Sequence, residues 1–463
     1  MLDKRVAGDV LDAALSTGGD FSEIFLEDRR NHTISLRDHI IDAVNSCRMH
    51  GVGIRVFVGL NAVYTYTNDT TRDGLLRCAL QAAGAVTQAK QEPLRSHTLQ
   101  LRSITDAHPI FLRPSQTETK KKIDILRMAN TAAWDVSHEI SQVICSYRDS
   151  EQDVLIANSD GLFATDCRVY TRLGCNVIAS SGAENQDGFE GPGAMLGFEM
   201  FEKRVDPSKV GREAAQTAVT TLHAPPCPAG IMPVVIGDRF GGVIFHEACG
   251  HSLEATFVAF DRSVFCGKLG QPIAASCVTA IDDGTMPNEW GSENMDDEGN
   301  PTTRLVLIEN GVLKNYMVDA LNGKRMGMPA TGSTRRESYA FAPTSRMRNT
   351  YIAAGGDDEN EMIATMGDGL YAKRLGGGSV EPVTGEFNFA VNEGYLVKGG
   401  KISHAVRGAS LIGKGADILM RIDRVGTKMK MEQGMCGSIS GAVPTNVGQP
   451  MIRVGSMTVG GHA

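Results

Sequence analysis

The sequence predicts an α+β protein. An N-terminal α/β domain over residues 1–225 is followed by a large antiparallel, β-barrel-like domain over residues 226–463. Three observations lead there. Helical apolar periodicity alternates with strand clusters in the first half. Short strand patterns with glycine-rich turns crowd the second half. Between them Ala224-Pro225-Pro226-Cys227-Pro228-Ala229-Gly230 places three prolines in seven residues, the strongest linker signal in the chain.

Taken in order, Val6, Val10, Leu11, Ala14 and Leu15 fall on one face of an opening helix. Ser22 to Glu27 alternates as a strand, and Thr33-Ile34-Ser35-Leu36 reads as its partner. Gly51 to Thr67 reads as a hairpin broken at Gly59-Leu60-Asn61. Thr71 to Lys90 predicts a helix with Leu75, Leu76, Ala79 and Ala83 inward, Gln91 to Ser115 is irregular, and Thr117 to Trp134 is a further helix. Val143 to Ala179 gives several short strands, Asp187 to Gly193 a loop, and Pro207 to Leu222 a helix. Beyond the linker, Met232 to Ile236 is an apolar strand and a helix runs from about Arg239 to Ala259. Strands then follow, with turns at Asp282-Asp283-Gly284, Glu309-Asn310-Gly311, Gly376-Gly377-Gly378 and Lys398-Gly399-Gly400.

Composition narrows the function. Hydrophobic residues at 42% and charged residues at 22% describe an ordinary globular chain. The net charge of −8 argues against nucleic-acid binding. The densest basic cluster, Lys120-Lys121-Lys122, reads as a solvated helix face. No signal core and no apolar run long enough to span a bilayer is present, so a cytoplasmic protein is expected. The ten cysteines form no CxxC pair and read mostly as small buried hydrophobes.

The chemistry is carried by Phe245-His246-Glu247-Ala248-Cys249-Gly250-His251. Zinc proteases place two histidines four apart on a helix, about 40° around its axis, so both reach one ion. Here the spacing is five, which on a regular helix separates them by about 140°. A single wide turn with an i to i+5 hydrogen bond restores them to one face. Gly250 lowers the barrier to it, so a bulge is predicted near Ala248 to Gly250. The flanking Phe240, Val243, Ile244 and Phe245 imply a half-buried helix, where two imidazoles and a carboxylate need a compensating partner such as a divalent metal. A catalytic zinc needs a third protein ligand. Glu254, His404 and Cys436 are the candidates, and spacing does not choose among them.

These residues resemble the TldD/PmbA family of bacterial and archaeal metalloproteases, in its zinc-bearing TldD branch. Phe245 to Glu254 resembles the family's zinc helix, and Asp296-Asp297-Glu298-Gly299-Asn300-Pro301-Thr302 its acidic turn. Arg335 to Tyr339, Pro343 to Tyr351, Gly377 to Gly385, Glu393-Gly394-Tyr395 and Val406-Arg407-Gly408-Ala409 resemble its strand blocks. The resemblance implies Zn2+ held by His246, His251 and Cys436, with Glu247 as catalytic base, and hydrolysis of unfolded peptides in a narrow channel. It also implies a homodimer, or a heterodimer with a metal-free PmbA-type subunit. The chain departs from many relatives after Cys436, reading Gly437-Ser438-Ile439-Ser440-Gly441-Ala442 where they carry Gly-Lys-x-Gly-Gln. The other reading is a non-catalytic peptide-binding or regulatory subunit; an intact His246, Glu247, His251 and Cys436 set separates the two. A redox or metal-storage role would require thiols clustered in space.

Overall fold

The computed structural model describes residues 2–86, 98–381 and 384–461. The first half is an eight-stranded sheet. Its main order is Asn61–Thr67, Ile40–Val58, Phe21–Arg37, Ile140–Asn158, Leu162–Ser181, Gln100–Leu101. The short strands Glu184–Glu190 and Gly193–Ala194 also lie on Leu162–Ser181.

Side-chain alternation along Phe21–Arg37 sorts the two faces of this sheet. Ile24, Ile34 and Leu36 point to the face covered by helices. Helices Lys4–Ala14 and Arg72–Gly84 pack over one end through Val10, Leu11, Leu75 and Ala79. Helices Thr119–Trp134 and Pro207–Leu222 pack over the other through Leu126, Ala129, Ala214 and Ala218. Glu23, Phe25 and Glu27 point the opposite way, toward the second half. There Arg55, directly across from Glu23, meets Glu298 at 2.6 Å, and Arg336 reaches Glu23 at 3.0 Å. All four charges are buried, so each stands or falls with its partners: removing one strands the others in low dielectric.

The second half has two main sheets. Five strands, Gly230–Ile236, Gly369–Glu381, Glu386–Lys398, Ser410–Lys414 and Ile452–Gly460, pair in a closed ring. The other sheet runs Val312–Leu313, Arg304–Glu309, Ala280–Asp283, Asn349–Ile352, Gly441–Gln449, Lys430–Ser438. Lys430–Ser438 is therefore an edge strand. Two parallel pairings, Asn349–Ile352 with Gly441–Gln449 and Gly369–Glu381 with Gly230–Ile236, interrupt the expected antiparallel pattern. The helical segment 239–253 packs in the core shared by both sheets, with Val243, Ile244, Phe245, Ala248, Cys249 and Leu253 all buried.

Several expectations need correction. Ser22 to Glu27 and Thr33 to Leu36 are one strand, not a pair: the polar stretch between them stays extended, with Asp28 ion-paired to Arg48 across the ladder. Val143 to Ala179 forms most of two long strands joined by one tight turn, because buried polar residues such as Asp149 and Arg168 find ionic partners and break the apolar alternation without breaking the strand. Asp187 to Gly193 is largely strand. Lys122 is buried against Asp149 at 2.7 Å rather than solvated. Gly376-Gly377-Gly378 lies within a strand whose register slips there, not in a turn. The helix expected to reach Lys90 is seen over Arg72–Gly84; residues 87–97 lie outside the described residues, as do 382 and 383. The Gly59 hairpin and the Asn310-Gly311 and Gly399-Gly400 turns form where expected, the last two with positive φ at both central residues.

Candidate metal centre

The helix read over Arg239 to Ala259 is five short pieces, and the changes of winding build the site. A 3-10 turn, Arg239–Gly242, leads into the α-turn Val243–Phe245. His246–Gly250 then widens into a π-turn in which the His251 N–H donates to the His246 carbonyl, five residues back. The extra residue brings both imidazoles to one side, their ring centroids 5.1 Å apart and their planes at 84°. Gly250 holds ordinary helical angles, φ −54° and ψ −52°. Its glycine is required by space instead: a Cβ would lie 2.1 Å from Met347 Sδ.

After the 3-10 turn His251–Leu253 the backbone becomes extended at Glu254, with φ −74° and ψ 132°. That break swings the Glu254 carboxylate beneath its own helix, where Oε1 lies 3.2 Å from His251 Nδ1. Glu254 is thus no partner for the converging ligand atoms. It sits on the far nitrogen of His251 and leaves Nε2 directed at the cluster, an arrangement that fixes tautomer and ring orientation. His404 is placed elsewhere, exposed on Lys401–Val406 and bonded to Ser403.

Cys436 arrives from the edge strand Lys430–Ser438. Its Sγ stands 3.3 Å from His246 Nε2 and 3.3 Å from His251 Nε2. The three donor atoms lie within 4.8 Å of one another and all three residues are buried. A tetrahedral zinc with ordinary bond lengths separates sulfur from nitrogen by about 3.5 Å, so the donor set fits that ion closely. Arg346, fully buried, ties the two sides together. It donates to the Cys436 carbonyl, to Ser440 Oγ at 3.0 Å and to the Gly441 carbonyl at 2.8 Å, and its Nε lies 3.9 Å from Glu254. The sequence departure after Cys436 thereby acquires a role: Ser440, buried, is one of three acceptors that hold Arg346.

The electrostatics match this geometry. Burial alone would push the Cys436 thiol up, but the His246 and His251 imidazoles beside it hold it well below the ordinary thiol range. Burial likewise opposes charge on His251, and Glu254 and Cys436 overcome it and raise that imidazole well above its usual value. Cys249, on the same turn, is pushed up by burial with nothing to offset it and packs as an apolar side chain. Glu247 is the most exposed of the group, its side chain 26% accessible, and its Oε2 lies 3.8 Å from His251 Nε2. It borders the cluster on the solvent side. Sequence reasoning did not find Arg346, since nothing local distinguishes a buried arginine from an exposed one.

Models of the PmbA/TldA metallopeptidase domains match the chain in three stretches: domain 1 over residues 22–86, the central domain over 112–222 and the C-terminal domain over 229–461. The chain is 35% identical over 453 residues to a metalloprotease TldD homolog of Haemophilus influenzae, covering 96% of this chain and 93% of that protein. It is 30% identical over 443 residues to a metalloprotease of Methanothermobacter thermautotrophicus, covering 96% of each. In fold it is similar to TldE from Thermococcus kodakarensis, with a TM-score of 0.77 at 17% identity, over 98% of this chain and 99% of that one. A Thermotoga maritima structure gives a TM-score of 0.80 at 22% identity, over 99% and 100% of the two chains. The relatives' names support a metallopeptidase-type function, and among the described residues no helix is long and apolar enough to cross a membrane. With family domains matched along most of its length and a 35% identical relative spanning nearly all of it, the chain belongs to the PmbA/TldD metallopeptidase family.

Proposed function

We propose that this chain is a zinc-dependent peptidase in which His246, His251 and Cys436 hold the metal and Glu247 is the proton carrier. The observation behind this reading is the convergence of one Sγ and two Nε2 atoms in a buried triangle with a carboxylate at its solvent side. A zinc held by these residues would lower the pKa of the attacking water and polarise the scissile carbonyl. Glu247 takes the proton of the attacking water on a carboxylate oxygen and returns it to the departing amine nitrogen. Glu254 holds His251 by Nδ1, and Arg346 holds the Cys436 carbonyl, so neither ligand has to reorganise during turnover.

The substrate we propose is an unfolded peptide docked along the outer edge of Lys430–Ser438. The ladder register supports this. The Asn446 N–H donates to Arg348, so Asn446 faces Asn349–Ile352, and its neighbours Thr445 and Val443 face Gly434 and Cys436. Gln433, Met435 and Gly437 then turn their backbone groups outward. The Gln433 carbonyl is taken by Arg172, which leaves Met435 and Gly437 open beside the metal ligands. Backbone pairing of this kind accommodates many side-chain sequences.

We further infer a division at residues 225 and 226, a dimer with itself or with a PmbA-type subunit, and residence in the cytoplasm. The ten cysteines, all free thiols, suit a reducing compartment. The test is metal content per chain in the native protein and in Cys436→Ala. About one zinc in the first and loss in the second is the expected result. No zinc in either after zinc is supplied would favour the non-catalytic subunit.

A further inference from the structure

The stretch of edge strand that precedes Cys436 borders a cleft of about 670 Å³, lined among others by Arg239, Phe240, Arg374, Lys430, Glu432 and Gly434. It continues the face of the edge strand on which the thiol sits: Glu432, Gly434 and Cys436 alternate onto one side. A Cβ placed on Gly434 would lie 3.9 Å from Phe240, and the Phe240 N–H donates to Glu432. Gly434 is two residues from Cys436, roughly 7 Å along the strand, the reach of two residues of an extended peptide.

Most cations lining the cleft are already satisfied. Lys430 is held by Asp238 at 2.6 Å and Lys373 by Glu393 at 2.6 Å. Arg374 is clamped by Glu190, with Glu393 and Glu213 also in reach. Arg172 donates to the Gly191 and Gln433 carbonyls. Arg239 is different. Its guanidinium comes no nearer than 4.0 Å to Glu190 and 4.0 Å to Glu213, and it makes no hydrogen bond to a described residue. Its backbone is left-handed, with φ +60°, a conformation disfavoured for a long side chain and concentrated at ligand-binding positions. The chain thus holds an unfavourable backbone angle at a residue that lines the cleft among Glu190, Glu213 and Glu432, with only long ion pairs and no N–H hydrogen-bonded to a described residue.

We infer that Arg239 is a specificity residue that binds a carboxylate of the peptide substrate, two or so residues from the bond that is cut. This rests on the peptidase reading. A planar guanidinium takes a carboxylate through two parallel hydrogen bonds, whereas an amide offers one acceptor and no charge. The carboxylate is either an acidic side chain or the peptide's own C-terminus, and the chemistry at Arg239 is the same.

The experiment measures binding of three fluorescent peptides to zinc-loaded Glu247→Gln protein by anisotropy. One peptide carries an internal glutamate and an amidated end, one a glutamine and a free C-terminus, and one a glutamine and an amidated end. We expect at least one carboxylate peptide to bind about tenfold tighter than the neutral peptide. Whichever carboxylate gives the preference identifies its source. In Arg239→Gln that ratio should fall to about one, and Arg239→Lys should keep only part of it. Equal binding of all three peptides, or a preference that survives Arg239→Gln, overturns the assignment while leaving the peptidase reading intact. Failure of every peptide to bind overturns both.

Discussion

Replacing Glu254 tests whether the metal centre depends on the residue behind it. The carboxylate is fully buried, 3.2 Å from His251 Nδ1 and 3.9 Å from Arg346. A hydrogen bond to a charged group contributes about 1.5–3 kcal/mol, and roughly twice what its neutral counterpart does. Glu254→Gln keeps an acceptor for the Nδ1–H and loses the charge, so about 1 kcal/mol of support for the ligating tautomer goes. Arg346 retains its bonds to Ser440, Gly441 and Cys436 but loses its carboxylate partner, so some loss of stability accompanies the change. Zinc affinity should therefore fall about fivefold to tenfold in the glutamine variant. In Glu254→Ala, where the acceptor is lost as well, it should fall toward the hundredfold limit seen for partners of metal-bound histidines. The assay is competition for zinc against a chromophoric chelator, with unfolding followed in parallel. Affinities within twofold of the native value in both variants would refute the idea that Glu254 orients His251.

Four more outcomes follow from the same geometry. Glu247→Gln should keep one zinc per chain while peptide hydrolysis falls by about 10²–10⁴-fold, and a fully active variant would remove Glu247 from the proton path. In metal-free protein Cys436 should already be a thiolate at pH 7, because the imidazoles depress its pKa; the 240 nm absorbance difference against Cys436→Ala should persist well below the usual thiol range and disappear only as acid neutralises the sulfur, whereas a transition near pH 8.5 contradicts the pairing. Gly250→Ala should cost about 1–3 kcal/mol of unfolding free energy, and much less when introduced into Met347→Ala, since the clash is with a flexible thioether. Gly415→Ala meets the Ala248 carbonyl at 2.0 Å, and because that is backbone of the π-turn, trimming a side chain should bring no such relief.

The sequence announced the π-turn more clearly than many whole strands. A five-residue spacing between two histidines has few geometric solutions, and one inserted residue is the simplest. Strand lengths in the first half were obscured because Asp28, Asp149 and Arg168 are polar for reasons found on a neighbouring strand, on a packed helix and in the other half of the molecule. The break at Glu254 was equally hidden: nothing in Leu253-Glu254-Ala255 signals an extended residue, and its cause is packing against a neighbouring segment, where the Ala255 N–H meets the Met317 carbonyl. Cys436 could be proposed as a ligand but not chosen from spacing, since contact with His251 closes a separation of 185 residues. Arg346 and Arg239 show the same limit from two sides. One arginine is buried and structural, the other is strained and held only by two long ion pairs, and local sequence distinguishes neither.

That long closure also imposes an order in time. During synthesis at about 5–20 residues per second, roughly 10–40 s pass between the emergence of His251 and that of Cys436. Throughout that interval the chain owns two histidines and a carboxylate but lacks the thiol that would complete the triangle. A peptidase assembled in this way is born inert: the unfolded segments nearest to it, its own, are already made before it can cut.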